Sequence, residues 1–348
     1  CYCSHTKHFP YRKHLLLLIS VVFLQNSPFD RFFNATPSFC GQSAMTGGQM
    51  TYQEFKETIC VMMKKRLDGQ ADVTVQDIIK NNNTHLDGLM IVSPQSNLSP
   101  TIYLDYYFNR FQNGVSLSCI CEEILCAYRA HSIPHDIDIS FFTDYSKVKS
   151  RIVFKLINYE KNRELLSKVP HYRFLDLAVV FCCLLDVSGA GNATILIYTH
   201  HLALWDITAD DLYALAAVNT PKLLHYDMRN MTDVLKELWT EGNSAADDPL
   251  SLHELCPMYV LTNKSKLNGS ACILYQNLLK DFAHRIGSDL YILPSSVHEV
   301  LLLPARIASS CEELTRMVQE VNETELSSEE VLSDHVYYFS RETGQITM

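Results

Sequence analysis

Residues 174–198, FLDLAVVFCCLLDVSGAGNATILIY, hold two runs rich in β-branched and aromatic residues on either side of a Ser-Gly-Ala-Gly turn. Such runs predict strands, and the short Gly-rich connection between them predicts a hairpin. Their near-continuous apolarity predicts burial on both faces. Asp176 is an isolated carboxylate near the start of the first run, so it needs a partner: backbone amides at a strand end on the plain reading, a catalytic acid on the sharper one.

Helix signals flank this hairpin. Thr51 and Glu54 stand in capping-box spacing ahead of Phe55, Ile59, Met62 and Met63 on one stripe, and Thr208 and Asp211 do the same ahead of Leu212, Leu215 and Ala216 until Thr220-Pro221. Ser116 caps a helix with Ile120, Ile124 and Leu125 inward, and Ser310 with Glu313 caps another. VTVQDII, LDGLMIV and PMYVLTN read as strands, and the chain ends in a hairpin turning at Glu342-Thr343-Gly344. Together these predict an α+β fold: a mixed, largely antiparallel sheet built from hairpins, with helices packed against it. The expected division is a leader over 1–49, a helix and strand subdomain over 50–140, and a main α+β domain over 141–348.

Three stretches carry candidate chemistry. SDLYILPSSVHEVLLLP, residues 288–304, places Ser295, Ser296, His298 and Glu299 between two apolar runs. Any symmetric turn there sets Leu293 opposite His298 and Ile292 opposite Glu299, so the two polar side chains leave on opposite faces. Between Thr143 and Val169, Lys147, Arg151 and Lys155 at i,i+4 steps read as a basic stripe on a helix beside Val148, Ile152, Leu156 and Tyr159. A solvated face is the plain reading, and contact with an unknown protein or anionic ligand the sharper one. HSIPHDIDISFF gathers His131, His135, Asp136 and Asp138, but without a spacing that converges them it reads as a polar loop, and no metal site is expected.

Composition narrows the classes. With 39 acidic against 29 basic residues among 348, the formal charge of -10 works against broad nucleic-acid binding. The 12 cysteines include no C-x-x-C pair and fall largely in apolar runs such as VVFCCLLD, which points to a reducing, cytoplasmic setting. HFPYRKHLLLLISVVFLQN, residues 8–26, has the shape of a secretory signal but is too short to span a membrane. It is read as sequence upstream of the domain; a genuine signal over 1–40 would make the protein secreted.

RIVFKLINYEKNRELL, FLDLAVVF, GNATILI, ADDLYALAAVNTPKLL, PMYVLTN, GSDLYILPSSVHEVLLLP and EEVLSDHVYYF, in that order from about Met50 to Met348, resemble a bacterial family of unknown function found widely in gut Firmicutes. More distantly, the capped helix with Ala216, Asn219 and Pro221 and the late strand pair are similar to an uncharacterised bacterial family related to the YtpQ protein. These resemblances imply an α+β fold in a bacterial cytosol and no particular activity or cofactor.

P-loop, G-x-G-x-x-G, G-x-S-x-G and H-E-x-x-H signatures are absent from the sequence. The leading expectation is therefore a non-enzymatic binding or regulatory module. The alternative is a hydrolase of unfamiliar type, using His298 with Ser295 or Ser296, or His298 and Glu299 with Asp176 around a metal. A mobile-element or phage accessory role is a third reading that rests on no residue.

Overall fold

The computed structural model describes residues 50–92, 101–131, 140–187, 191–234, 258–308 and 310–348. The chain divides into two compact units, a smaller one over 35–141 and a larger one that holds 142–348. The class is α+β. Every described strand pair is antiparallel, and the strands fall into three sheets of three, six and four.

In the smaller unit, Thr51 Oγ1 accepts from the Glu54 amide at 3.3 Å and Glu54 Oε2 accepts from the Thr51 amide at 2.8 Å. This reciprocal cap starts α1 (Tyr52–Leu67), whose Phe55, Ile59 and Met63 are buried on one face. Strands β1 (Asp72–Ile79), β2 (His85–Val92) and β3 (Thr101–Tyr103) form its sheet. Helices α2 (Leu104–Gln112) and α3 (Leu117–His131) follow, the latter burying Ile120, Ile124 and Leu125. His131 ends α3, while His135, Asp136 and Asp138 lie outside the described residues.

The larger unit opens with a correction. The helix expected to carry Lys147, Arg151 and Lys155 is one turn, α4 (Tyr145–Val148), then a 3-10 turn (Lys149–Arg151), then strand β4 (Ile152–Asn158). Ile-Val-Phe-Lys-Leu-Ile is a β-branched and aromatic run, and pairing along its whole length with β6 (Leu177–Val187) outweighs the i,i+4 pattern. The three cations therefore share no helical face.

Strand β5 (His171–Phe174) meets β6 through a two-residue turn at Leu175-Asp176, with Leu175 at φ 56°. Asp176 thus sits at a hairpin tip rather than inside a strand. β6 continues into the expected hairpin with β7 (Gly191–Leu196). Helix α5 (Arg163–Leu166) lies in the β4–β5 connection. After β7 come α6 (Thr199–Trp205) and α7 (Ala209–Leu223), and α7 carries Pro221 in its last turn, past the stop expected at Thr220-Pro221. His200 and His201 are neighbours on α6 with ring centroids 4.0 Å apart.

The six-stranded sheet runs β13-β12-β10-β11-β9-β8, with β8 (Tyr226–Asn230), β9 (Tyr259–Asn263), β10 (Leu290–Leu293), β11 (Val300–Pro304), β12 (Tyr337–Phe339) and β13 (Ile346–Thr347). Val260, Leu293, Leu301 and Leu303 line one face against Leu314, Met317, Val318 and Val321 of α9 (Cys311–Thr324). On the other side, Tyr259 meets Phe282 of α8 (Leu278–Ile286) edge to face at 4.8 Å. The central strands are covered on both faces, which explains the unbroken apolar runs. Each fully buried Leu or Met contributes about 1.5–3 kcal/mol.

Candidate functional site

The β10–β11 hairpin is wider than the sequence suggests. Leu293 pairs with Leu301 and Ile292 with Leu302, so 294–299 form a connection outside the ladder and the expected pairings of Leu293 with His298 and Ile292 with Glu299 do not form. The reason is a competing partner. Val297 N donates to Glu330 O at 2.9 Å, Leu332 N to Ser295 O at 2.7 Å and Ser333 N to Pro294 O at 3.0 Å, around a bridge between Ser296 and Val331. A segment that follows α9 thus satisfies the backbone that a tight turn would have used.

The rest of the connection is gripped from the far side. Val297 O accepts from Ser270 Oγ at 2.8 Å, and His298 O accepts from Thr262 Oγ1 at 2.8 Å. Gly269 lies so close that a Cβ there would stand 2.3 Å from His298 O and 2.9 Å from Asn263 N, so only glycine fits. His298 N donates to Ser296 Oγ at 3.0 Å. Ser296 and His298 do meet, but through the amide: among the described residues neither the Ser295 nor the Ser296 hydroxyl bonds to the His298 ring.

Burial holds the His298 imidazole below its ordinary pKa, and Lys155 reinforces this while the Glu330 carboxylate and a hydrogen bond to the Lys266 backbone oppose it. Its Nδ1 is buried without a hydrogen-bond partner among the described residues. Glu330, 6% exposed, accepts from Ser327 Oγ at 2.9 Å through Oε2, while its buried Oε1 has no hydrogen-bond partner among the described residues. Ser295, 1% exposed, likewise has an Oγ without a hydrogen-bond partner among the described residues, and Glu299 is buried to the same degree.

Asp176 belongs to a different cluster. Ser333 Oγ donates to its Oδ2 at 2.7 Å, the Tyr337 hydroxyl donates to its Oδ1, and His335 Nδ1 lies 3.1 Å from Oδ2. Ser333, His335 and Tyr337 thus converge on the β5–β6 tip, with the chain bent at Asp334-His335 and the His335 amide donating to Ser333 Oγ at 3.0 Å. Burial and Asp176 together push the Tyr337 hydroxyl well above its ordinary pKa. Nearby, Asn158 Nδ2 donates to Leu332 O at 3.0 Å, and Asn322 Nδ2 donates to Ser333 O at 2.9 Å.

The proposed grouping of Asp176 with His298 and Glu299 is therefore not formed by hydrogen bonds among the described residues. Residues 330–337 instead give Glu330 to one cluster and Ser333, His335 and Tyr337 to the other. Among the described residues no group of three or more His, Cys, Asp or Glu could hold a metal ion. Lys155 faces His298 electrostatically, Arg151 acts on Cys183, and exposed Lys147 pairs with Asp144 at 3.9 Å. The sequence reading missed His335, Tyr337, Ser333 and Glu330. The alternation S-x-H-x-Y was the available signal for three of them.

A model for a family of unknown function, DUF5688, matches residues 52–341. No curated protein and no solved structure matches the chain. Among the described residues no helix is long and apolar enough to cross a membrane.

Proposed function

The chain belongs to that family of unknown function, and we propose that it is a binding module whose site is the 294–299 connection. One observation carries this: Ser295 Oγ, His298 Nδ1 and Glu330 Oε1 are buried without hydrogen-bond partners among the described residues, all on one bridged pair of segments. A buried polar atom left unpaired costs about 1–3 kcal/mol, so three on two segments joined by one bridge favour a small polar guest that completes them. The binding surface moves accordingly from the expected basic stripe to this connection, with Lys155 the one cation of the three that faces it. A reducing, cytoplasmic setting is part of the proposal, supported by free Cys60, Cys121, Cys126, Cys182, Cys183, Cys272 and Cys311.

The test is native mass spectrometry of the full chain beside Ser295→Leu, which fills the space at the unpaired hydroxyl. A low-mass adduct on the wild type that the variant lacks supports the reading. A wild type at its bare sequence mass, with no stabilisation by any member of a broad metabolite panel, removes it.

A hydrolase remains the second reading, and the geometry moves it from His298 to His335. Asp176 orients His335 through Nδ1 and leaves Nε2 as the acceptor on a half-exposed ring, the arrangement of a general base. Loss in His335→Ala of a hydrolytic activity found by screening would support it. An activity untouched by that substitution would remove it.

A further inference from the structure

Taking the binding reading as its premise, we infer that the cluster of Ser295, His298 and Glu330 takes a primary ammonium group. The chemistry of the three atoms points there. His298 Nδ1 is buried without a partner among the described residues, and a neutral imidazole with its proton on Nε2 offers a lone pair there. Glu330 Oε1 offers a carboxylate oxygen, and its partner oxygen already holds the Ser327 hydroxyl. Ser295 Oγ can accept as readily as donate. The cluster thus presents acceptors and calls for a donor with several N–H bonds.

Charge selects among donors. Glu330 is 6% exposed and makes no ion pair among the described residues, and a buried carboxylate is favoured by a cation beside it. Lys155 does not fill that role: it lies on β4, acts on His298 with the sign opposite to Glu330, and its ammonium forms no hydrogen bond or ion pair among the described residues. An anionic guest would set oxygen against Glu330 Oε1. A cation without N–H bonds would meet the charge and leave His298 Nδ1 and Ser295 Oγ without a donor. A buried water could bridge the same atoms, but it brings no charge.

The experiment compares ammonium with potassium, which are nearly equal in size and charge and differ in N–H donors. Thermal unfolding and calorimetric titration of the full chain are run at constant ionic strength with ammonium chloride, methylammonium chloride, potassium chloride and potassium acetate. The expected result is saturable binding of ammonium and methylammonium above the potassium baseline. Ser295→Ala and Glu330→Gln should each weaken it about tenfold or more. Superposable ammonium and potassium curves overturn the inference. Saturable binding of acetate alone, lost in Ser295→Ala, also overturns it but leaves the binding reading standing. No saturable response to any salt, with Ser295→Ala as stable as the wild type or more so, overturns both. Should Glu330→Gln fail to fold, Ser295→Ala carries the comparison alone.

Discussion

Ser333 donates a 2.7 Å hydrogen bond to Asp176 across 157 residues of chain. With His335 and Tyr337 reaching the same carboxylate, one side chain at the β5–β6 tip fastens a segment that lies beyond α9.

Asp176→Ala should therefore destabilise the larger unit by about 3 kcal/mol, because it strands the Ser333 and Tyr337 hydroxyls. Urea denaturation measures this. A double-mutant cycle with Ser333→Ala should show coupling of about 1 kcal/mol, and additive losses would show that the hydrogen bond contributes little.

Acid should loosen the fold through His298. Burial lowers its folded-state pKa below the ordinary 6.5, so the unfolded chain takes up the proton first as pH falls. The stability present above pH 6.5 is then lost as pH falls through the folded-state value. Denaturation curves from pH 8 to 5 should show a shallower loss in His298→Gln than in the wild type; parallel profiles would contradict the assignment.

Lys155→Met should raise the pKa of His298, since the ammonium is one of the groups holding it down. Imidazole resonances followed by NMR report the shift directly. A pKa that stays in place, with the fold intact, would show that Lys155 is electrostatically remote from the ring.

Gly269→Ala should cost about 1–3 kcal/mol or more, because the added methyl meets the His298 carbonyl and the Asn263 amide, neither of which can rotate away. The melting temperature would report it, and the His298 resonances should move with it. Wild-type stability would mean that the connection can shift.

Local chemistry was the legible part of the sequence. Thr51 with Glu54 and Thr208 with Asp211 form the reciprocal caps that their spacing implies, and β6 with β7 forms the hairpin read from 174–198. What failed was pattern read without its partner. Lys147, Arg151 and Lys155 have helical spacing, yet β4 is a strand because β6 is there to pair with it. The 288–304 hairpin looked tight because its turn residues were read alone, whereas its register depends on 330–333. His298 stood out as a polar residue in an oily hairpin; Glu330, which faces it from beyond the next helix, could not be paired with it without the fold.

The bridge between Ser296 and Val331 also sets an order of assembly. During synthesis Asp176 and His298 leave the ribosome long before 330–337, and both clusters are made of contacts that cannot form until that stretch arrives. A nascent chain halted just past α9 would already carry most of its hydrophobic core and yet have neither cluster. Completion of the site and closure of the larger unit are thus one late folding event.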